Sequence, residues 1–323
     1  MSGSYDDSNR AFLQAFMARS SMTFEEAQPI LAAISTVKEN RTINVNDITE
    51  EHLSSYISLA NAAISPFDLE IRSSLNQAIN HEEDEDISPT RVYALVNTTS
   101  DPLTQLATTY SADEIAFVKR ILDGMFITNN DRIKEGMVIP SMEAVQLARI
   151  SDPNRRRTGN TAVQPNQGVT AQNLTLPQAE TTLKNLVSEG WLQKSRKEFY
   201  SLTPRGLMEL RGWLVMEYNQ TEDGREMNRI KFCSACRDIV TVGQRCADRE
   251  CTGRLHDHCM RNFFRIQKSE NCPKCKKDWP GNMFVGERAM ALKKTTNTPR
   301  PRVSLNQNSQ ADGSDEESEE DEG

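Results

Sequence analysis

Cys233-Ser234-Ala235-Cys236, Cys246, Cys251, His256-Asp257-His258-Cys259 and Cys272-Pro273-Lys274-Cys275 make up the stretch that decides the fold. All seven cysteines of the 323-residue chain lie in it. Two ligands separated by two residues can reach one metal ion, because a tight turn between them aims both side chains at one point. Three of the pairs have that gap, and Cys246 to Cys251 falls within the reach of a short loop. The eight ligands Cys233, Cys236, Cys246, Cys251, His256, Cys259, Cys272 and Cys275 therefore suffice for two tetrahedral, structural zinc ions. His258 competes with His256, but only His256 stands two residues from Cys259, and the apolar Leu255 before it suits a core position.

A disulfide framework is the alternative. The odd cysteine number, the absence of an apolar amino-terminal signal segment and the metal-like gaps argue against it and for a reduced, intracellular chain. Among zinc modules, a PHD finger has the same ligand order but carries an aromatic residue two positions before the seventh ligand, where this chain has Glu270. A cross-brace RING accounts better for the spacer from Cys259 to Cys272, with Phe263 and Phe264 at helical spacing from the ligand turn. In a cross-brace, Cys233, Cys236, His256 and Cys259 hold one ion and Cys246, Cys251, Cys272 and Cys275 the other. With every position filled by protein, neither ion is open for hydrolytic catalysis.

Outward from the cysteines, the carboxyl end turns acidic. The net charge is -8, and Asp312 together with Ser314-Asp315-Glu316-Glu317-Ser318-Glu319-Glu320-Asp321-Glu322 accounts for it. Residues 286–323 read as a disordered tail that cannot bury a core; Ser314 and Ser318 precede acids in a pattern that acidophilic kinases favour. No apolar run is long enough to cross a membrane.

Residues 1–100 read as winged-helix domain A. Ala11-Phe12-Leu13 and Phe16-Met17 recur at helical spacing, Thr23-Phe24-Glu25-Glu26 is a capping box before Ile30, Leu31, Ile34 and Val37, and a third helix covers His52 to Ile64. Strands over Phe67–Ser74 and Arg91–Asn97 flank the acidic turn Glu82–Asp86; His52 and His81 read as surface residues. Residues 101–222 read as winged-helix domain B. Ser111-Ala112-Asp113-Glu114 is another capping box, followed by a strand at Met137–Pro140, a helix at Ala144–Ile150 and a mobile loop, Ser151–Gln172, carrying Arg155, Arg156 and Arg157. A helix then opens at Thr175 and stops at Gly190. Trp191–Lys197 and Glu198–Leu202 are strands around a basic turn, and Thr203-Pro204-Arg205-Gly206 caps one final helix with Leu207, Leu210 and Leu214 inward.

The helix before this wing, Gln178 to Glu189, has only Lys184 against two acids, which argues against base readout. Lys194, Arg196, Lys197 and Arg155 to Arg157 can still touch phosphates without reading sequence. The expected architecture is thus α+β and multidomain: tandem winged helices, a cross-brace RING-like zinc domain over 230–285, and the acidic tail.

That plan, with a variant RING of the RING-CH type whose single histidine is the fifth of eight ligands, resembles the non-structural maintenance of chromosomes element 1 family. Arg10-Ala11-Phe12-Leu13-Gln14-Ala15-Phe16-Met17, Leu202-Thr203-Pro204-Arg205-Gly206 and the ligand pattern through Asp278-Trp279-Pro280 carry the resemblance. It implies a nuclear, chromatin-associated subunit of the SMC five-six complex, acting in DNA repair by recombination and in chromosome maintenance. It further implies the RING half of a ubiquitin ligase, bound through its winged helices to a MAGE-type subunit near a kleisin subunit. Ser234, Ala235 and Pro273 would then meet a ubiquitin-conjugating enzyme. The chain departs from ligase RINGs at Ser234-Ala235, where a large aliphatic residue is usual, and at Lys276-Lys277, where an arginine often pins ubiquitin. Weak, partner-dependent transferase activity is the expectation. A RING kept for assembly, a PHD-type chromatin reader and a sequence-specific DNA regulator are the rival readings.

Overall fold

A computed structural model describes residues 5–77, 89–98, 109–149, 173–222, 225–226 and 228–291. The acidic turn with His81, the loop arginines 155 to 157 and the acidic run at the carboxyl end lie outside the described residues. Helix termini follow the capping chemistry of the sequence. Asp6 accepts from the backbone N–H groups of Ser8 and Asn9 and starts α1 (Asp7–Arg19). Thr23 and Glu26 close a reciprocal capping box, with Thr23 N–H donating to the Glu26 carboxylate at 2.8 Å, and start α2 (Phe24–Glu39). At α3 (Glu50–Ile64) the exposed His52 accepts the Thr49 N–H on Nδ1 at 3.0 Å. It is a capping residue, which suits a surface position.

Strand β2 (Leu69–Leu75) pairs antiparallel with β3 (Arg91–Asn97), and β1 (Ser21–Thr23) adds to the other edge of β3. The element order is helix, strand, helix, helix, strand, strand, and the sheet order is β1-β3-β2. This is a winged helix with its own core of Phe12, Phe16, Leu31, Leu53, Ile64 and Ile71.

The second winged helix repeats the plan. Ser111 and Glu114 cap α4 (Ala112–Asp123), followed by β4 (Ile139–Pro140), α5 (Ser141–Gln146), α6 (Leu176–Ser188), β5 (Leu192–Lys194) and β6 (Phe199–Leu202), with sheet order β4-β6-β5. Several boundaries differ from the expected ones. The helix placed at 144–150 begins at Ser141, directly after β4, and ends by Gln146. The two wing strands are shorter than read, because Glu198 adopts φ 65° and the chain turns through 195–198. The single final helix is two, α7 (Pro204–Glu209) and α8 (Arg211–Tyr218), parted at Leu210, although Leu207, Leu210 and Leu214 all point into the core as expected.

A small hairpin, β7 (Thr221–Glu222) and β8 (Arg225–Glu226), leads into the zinc module. There β9 (Gly243–Arg245) is flanked by β10 (Arg254–Leu255) and β11 (Phe284–Val285), with α9 (Asp257–Gln267) packed beside them. The stretch assigned to the tail from 286 begins as structure: α10 (Glu287–Ala291) folds back, with Arg288 over the Phe284 ring at 4.2 Å and ion-paired to Asp257. Among the described residues, no helix is long and apolar enough to cross a membrane.

The module does not stand apart. Trp191, Trp213, Leu214 and Tyr218 of the second winged helix share one continuous apolar core with Ile230, Val240, Leu255, Trp279 and Val285 of the zinc module. The first winged helix meets this joint body where α7 packs against β2 and β3.

Candidate metal centre

The two Cys-x-x-Cys turns are built alike. The backbone N–H of Cys233 donates to Asp238 O at 2.8 Å and Arg237 N–H donates to Cys233 O at 3.0 Å; in the second turn Cys272 N–H donates to Lys277 O at 2.7 Å and Lys276 N–H donates to Cys272 O at 3.0 Å. Arg237 and Lys276, each four residues after its first cysteine, take φ 68° and 64°. That left-handed residue curls the chain and directs both sulfurs to one point. Short bridges Phe232–Ile239 and Asn271–Asp278 close the two turns at their bases.

The remaining ligands come from different elements. His256 is the residue before α9, and Cys259 lies in that helix's first turn. Cys246 follows β9, and its N–H donates to Gly253 O at 3.0 Å, closing the loop that bears Cys251. These elements gather Cys233, Cys236, His256 and Cys259 into one cluster and Cys246, Cys251, Cys272 and Cys275 into another, with the ligand atoms of each all within 4.8 Å of one another. The interleaving of the ligands is that of a cross-brace, as the sequence implies.

The donor geometry fits zinc. A tetrahedron with Zn–S of about 2.3 Å places its sulfurs about 3.8 Å apart; the Cys246–Cys275 and Cys251–Cys272 sulfur pairs are separated by 3.5 and 3.6 Å. In the other cluster, His256 Nδ1 lies 3.3 Å from Cys236 Sγ and 3.9 Å from Cys259 Sγ. His256 Nε2 lies 3.1 Å from Ile239 O. A carbonyl can only accept, so Nε2 carries the proton and Nδ1 keeps its lone pair for the metal. His258 is outside both clusters; its ring stacks on His256 at 4.9 Å and 12°. The module holds two zinc ions, each surrounded by four protein ligands and so structural rather than catalytic.

Charge around the clusters fits as well. A zinc with four thiolates carries a net charge of about -2, and beside that cluster the fully buried Arg254 donates to Cys251 O and Gly253 O at 2.9 and 2.7 Å. Arg254 also forks onto Glu135 at 2.5 and 2.7 Å, and Lys231 meets the same carboxylate at 2.8 Å, with Arg245 at 3.7 Å. Burial favours the neutral acid at Glu135, but the bonds and charges of Arg254 and Lys231 outweigh it and bring its pKa down to about 2. Glu135 belongs to the second winged helix. The sequence reading missed it, since a single glutamate in a loop carries no local signal for a partner 119 positions away.

Gly253 lies hard against the second cluster. A Cβ there would stand 2.6 Å from Cys272 Sγ and 3.4 Å from Cys251 Sγ. Gly253→Ala is expected to expel metal from this all-cysteine cluster while the cluster containing His256 keeps its own, so that zinc analysis gives about one ion per chain. Two retained ions would show that the loop yields instead.

The other predicted residues separate. Ala235 is exposed while Ser234 and Pro273 are half-buried, each within its Cys-x-x-Cys turn. Lys194, Arg196 and Lys197 are all exposed at the wing, and Lys194 is ion-paired with Glu198 at 2.5 Å and lies over Tyr200. Trp279 serves the core: it is buried, packs edge-on to Phe264 at 5.8 Å, and its indole N–H donates to Gln244 at 3.1 Å.

Two family profiles match the chain: the Nse1 non-SMC component of the SMC5-6 complex over residues 9–210, and a RING-like domain over residues 233–275. The non-structural maintenance of chromosomes element 1 homolog of Xenopus tropicalis is 22% identical over 280 residues, covering 87% of this chain and 85% of the relative. The Homo sapiens homolog is 19% identical over 278 residues, with 86% of each covered. The Schizosaccharomyces pombe protein is 24% identical over 190 residues, 59% of this chain and 65% of the relative. A solved structure described as the Nse1-Nse3-Nse4 complex is similar in fold, with a TM-score of 0.60 at 20% identity over 86% of this chain and 98% of the matched chain. Two winged helices joined to a cross-brace that holds two zinc ions thus coincide with a profile match over most of the folded chain, and the protein belongs to the family of the Nse1 non-SMC component of the SMC5-6 complex.

Proposed function

We propose that this protein is a RING-type ubiquitin ligase subunit of an SMC5-6 complex, working in the nucleus in DNA repair by recombination and in chromosome maintenance. The single observation that carries the ligase reading is the pair of interleaved, closed zinc clusters in a RING-like module. The matched solved structure is by its description an assembly of Nse1 with Nse3 and Nse4, and we extend those partners, MAGE-type and kleisin respectively, to this chain. The winged helices supply the docking surface for them.

Catalysis by such a module is positional. A conjugating enzyme carrying ubiquitin as a thioester binds at Ala235, Ser234 and Pro273, and the bound complex favours the conformer that an incoming lysine amine attacks. No residue of this chain acts as nucleophile or base, and the gain is the entropic one of holding reactants in place. Ala235 has too small a side chain to fill a pocket on the conjugating enzyme, which supports low activity alone and a need for the MAGE-type partner. Exposed Arg196 and Lys197 support a sequence-blind contact with DNA phosphates that weakens with salt.

The test is single-turnover discharge of ubiquitin from a panel of loaded conjugating enzymes, with and without the MAGE-type partner and with Cys272→Ser as control. Faster discharge that needs the partner and vanishes in the control is expected. No acceleration from a sample that still holds two zinc ions and binds the partner would reduce the module to an assembly element. A PHD-type reader is disfavoured by the aromatics: a methyl-lysine cage needs exposed rings, and Phe232 lies under Arg211, while Phe263, Phe264 and Trp279 pack on one another.

A further inference from the structure

Beyond Leu75 the first winged helix sends one side chain into the zinc module. The last ladder bond among the described residues of the wing is Asn76 N–H to Thr90 O at 2.9 Å, and the next residue, Gln77, has only 7% of its surface exposed. Its Nε2 donates to Ile239 O at 2.7 Å. Its Oε1 accepts from Thr241 N–H at 2.9 Å, from the Thr241 hydroxyl at 3.1 Å and from Val242 N–H at 3.2 Å. One neutral amide thus satisfies four groups of a segment 162 to 165 positions away.

That segment is not an arbitrary one. It joins Cys236 of the first zinc cluster to Cys246 of the second, and Ile239 O is the acceptor that fixes the ring of the zinc ligand His256. The two lone pairs of this carbonyl are shared between His256 Nε2–H and Gln77 Nε2–H. A metal-bound histidine owes its ring orientation and basicity to the partner of its other nitrogen, and loss of such partners typically weakens metal binding about 10- to 100-fold. Gln77 acts one step further out, by pinning the carbonyl itself together with Thr241 and Val242. Its own anchor is the docked wing, whose strands β2 and β3 pack on α7.

We propose that Gln77 is a positioning residue of the zinc site that contains His256, so that retention of this one ion depends on the first winged helix being docked. The inference concerns the metal site alone and stands whether or not the module proves to be a ligase.

Full-length protein loaded with Co2+ tests it. A site of three sulfurs and one nitrogen absorbs differently from one of four sulfurs, so transfer of each ion to a chelator can be followed separately. Gln77→Ala is expected to lose Co2+ from the histidine-containing site about tenfold faster than wild type, with the rate at the all-cysteine site unchanged. Gln77→Glu keeps an acceptor for Thr241 and Val242 but has no N–H for Ile239 O, and should also speed loss from the histidine-containing site alone. Met208→Ala, on α7 in the cleft that Gln77 and Ile239 also line, shortens one apolar side chain while leaving the four Gln77 hydrogen bonds in place, and should leave both rates as they are. Unchanged release from folded Gln77 variants overturns the proposal. So does equal acceleration at both sites, or acceleration by Met208→Ala as large as that by Gln77→Ala, since either marks a general loosening.

Discussion

Stripping zinc from the full-length protein is expected to unfold the second winged helix together with the zinc module while the first winged helix keeps its core. A structural zinc contributes on the order of 10 kcal/mol or more to the fold that binds it, which exceeds the whole stability of many small domains. The module has little to replace it: its strands run two or three residues, and α9 has no residue fully buried. What is lost does not stop at residue 230, because Ile230, Val240 and Trp279 complete a core whose other wall is Trp213, Leu214 and Tyr218. Tryptophan emission provides the measurement. All three tryptophans, Trp191, Trp213 and Trp279, lie in this joint core. In a Trp279→Phe background, where the remaining two report on the second winged helix, chelation should still shift emission to the red and expose amides of α8 and β6 to exchange. The separate cluster around Phe12, Phe16 and Leu31 should stay protected. A metal-free protein with unshifted emission in that background would show that the two units fold independently.

Glu135→Ala is expected to cost about 3–5 kcal/mol, the usual penalty for removing one partner of a buried ion pair and leaving the other charge stranded. Three cations are left here, Arg254, Lys231 and Arg245, and Arg254 is wholly enclosed. Burial lowers the pKa of Lys231 despite the opposing pull of Glu135, so without the carboxylate this lysine gives up its proton more readily still. Glu135→Gln keeps the shape and removes the charge, which allows the electrostatic part to be read from pH. The folded pKa of Glu135, about 2, lies below the ordinary carboxylate value. Its contribution is therefore complete above the unfolded pKa of about 4.3 and disappears as the pH falls from there toward the folded value. Denaturant melts should show a constant gap between wild type and Glu135→Gln from about pH 8 to 5, narrowing below about 4.3. A gap that widens on acidification would contradict the assignment.

What could be read in the sequence was what is encoded within a few residues. Reciprocal capping boxes at Thr23/Glu26 and Ser111/Glu114 form as read, and the helix expected to open at Thr175 does so with a third box, to Gln178, since a side chain bonding three residues away needs no knowledge of the rest of the chain. The metal turns are equally local, and the two-residue gap sufficed to choose His256 over its neighbour His258. Strand β1 escaped notice because three residues between two helix ends show no alternation. The break at Leu210 escaped it because Leu207, Leu210 and Leu214 face inward on either side of the kink. Gln77 and Glu135 could not have been found: each is one polar residue in a loop, and what makes it matter is a backbone or an arginine more than a hundred positions away. Interfaces between units are where sequence periodicity has nothing to say.

The joint core also decides how the molecule bears load. A pull on the second winged helix carries both zinc sites with it as one stiff piece, because the apolar packing runs unbroken from Trp213 to Trp279. Among the described residues, the first winged helix meets that piece where α7 packs on β2 and β3 and where the Gln77 amide enters the zinc module. The heading of the zinc module is therefore set by whatever grips the second winged helix, and the first works as a strut that trims it.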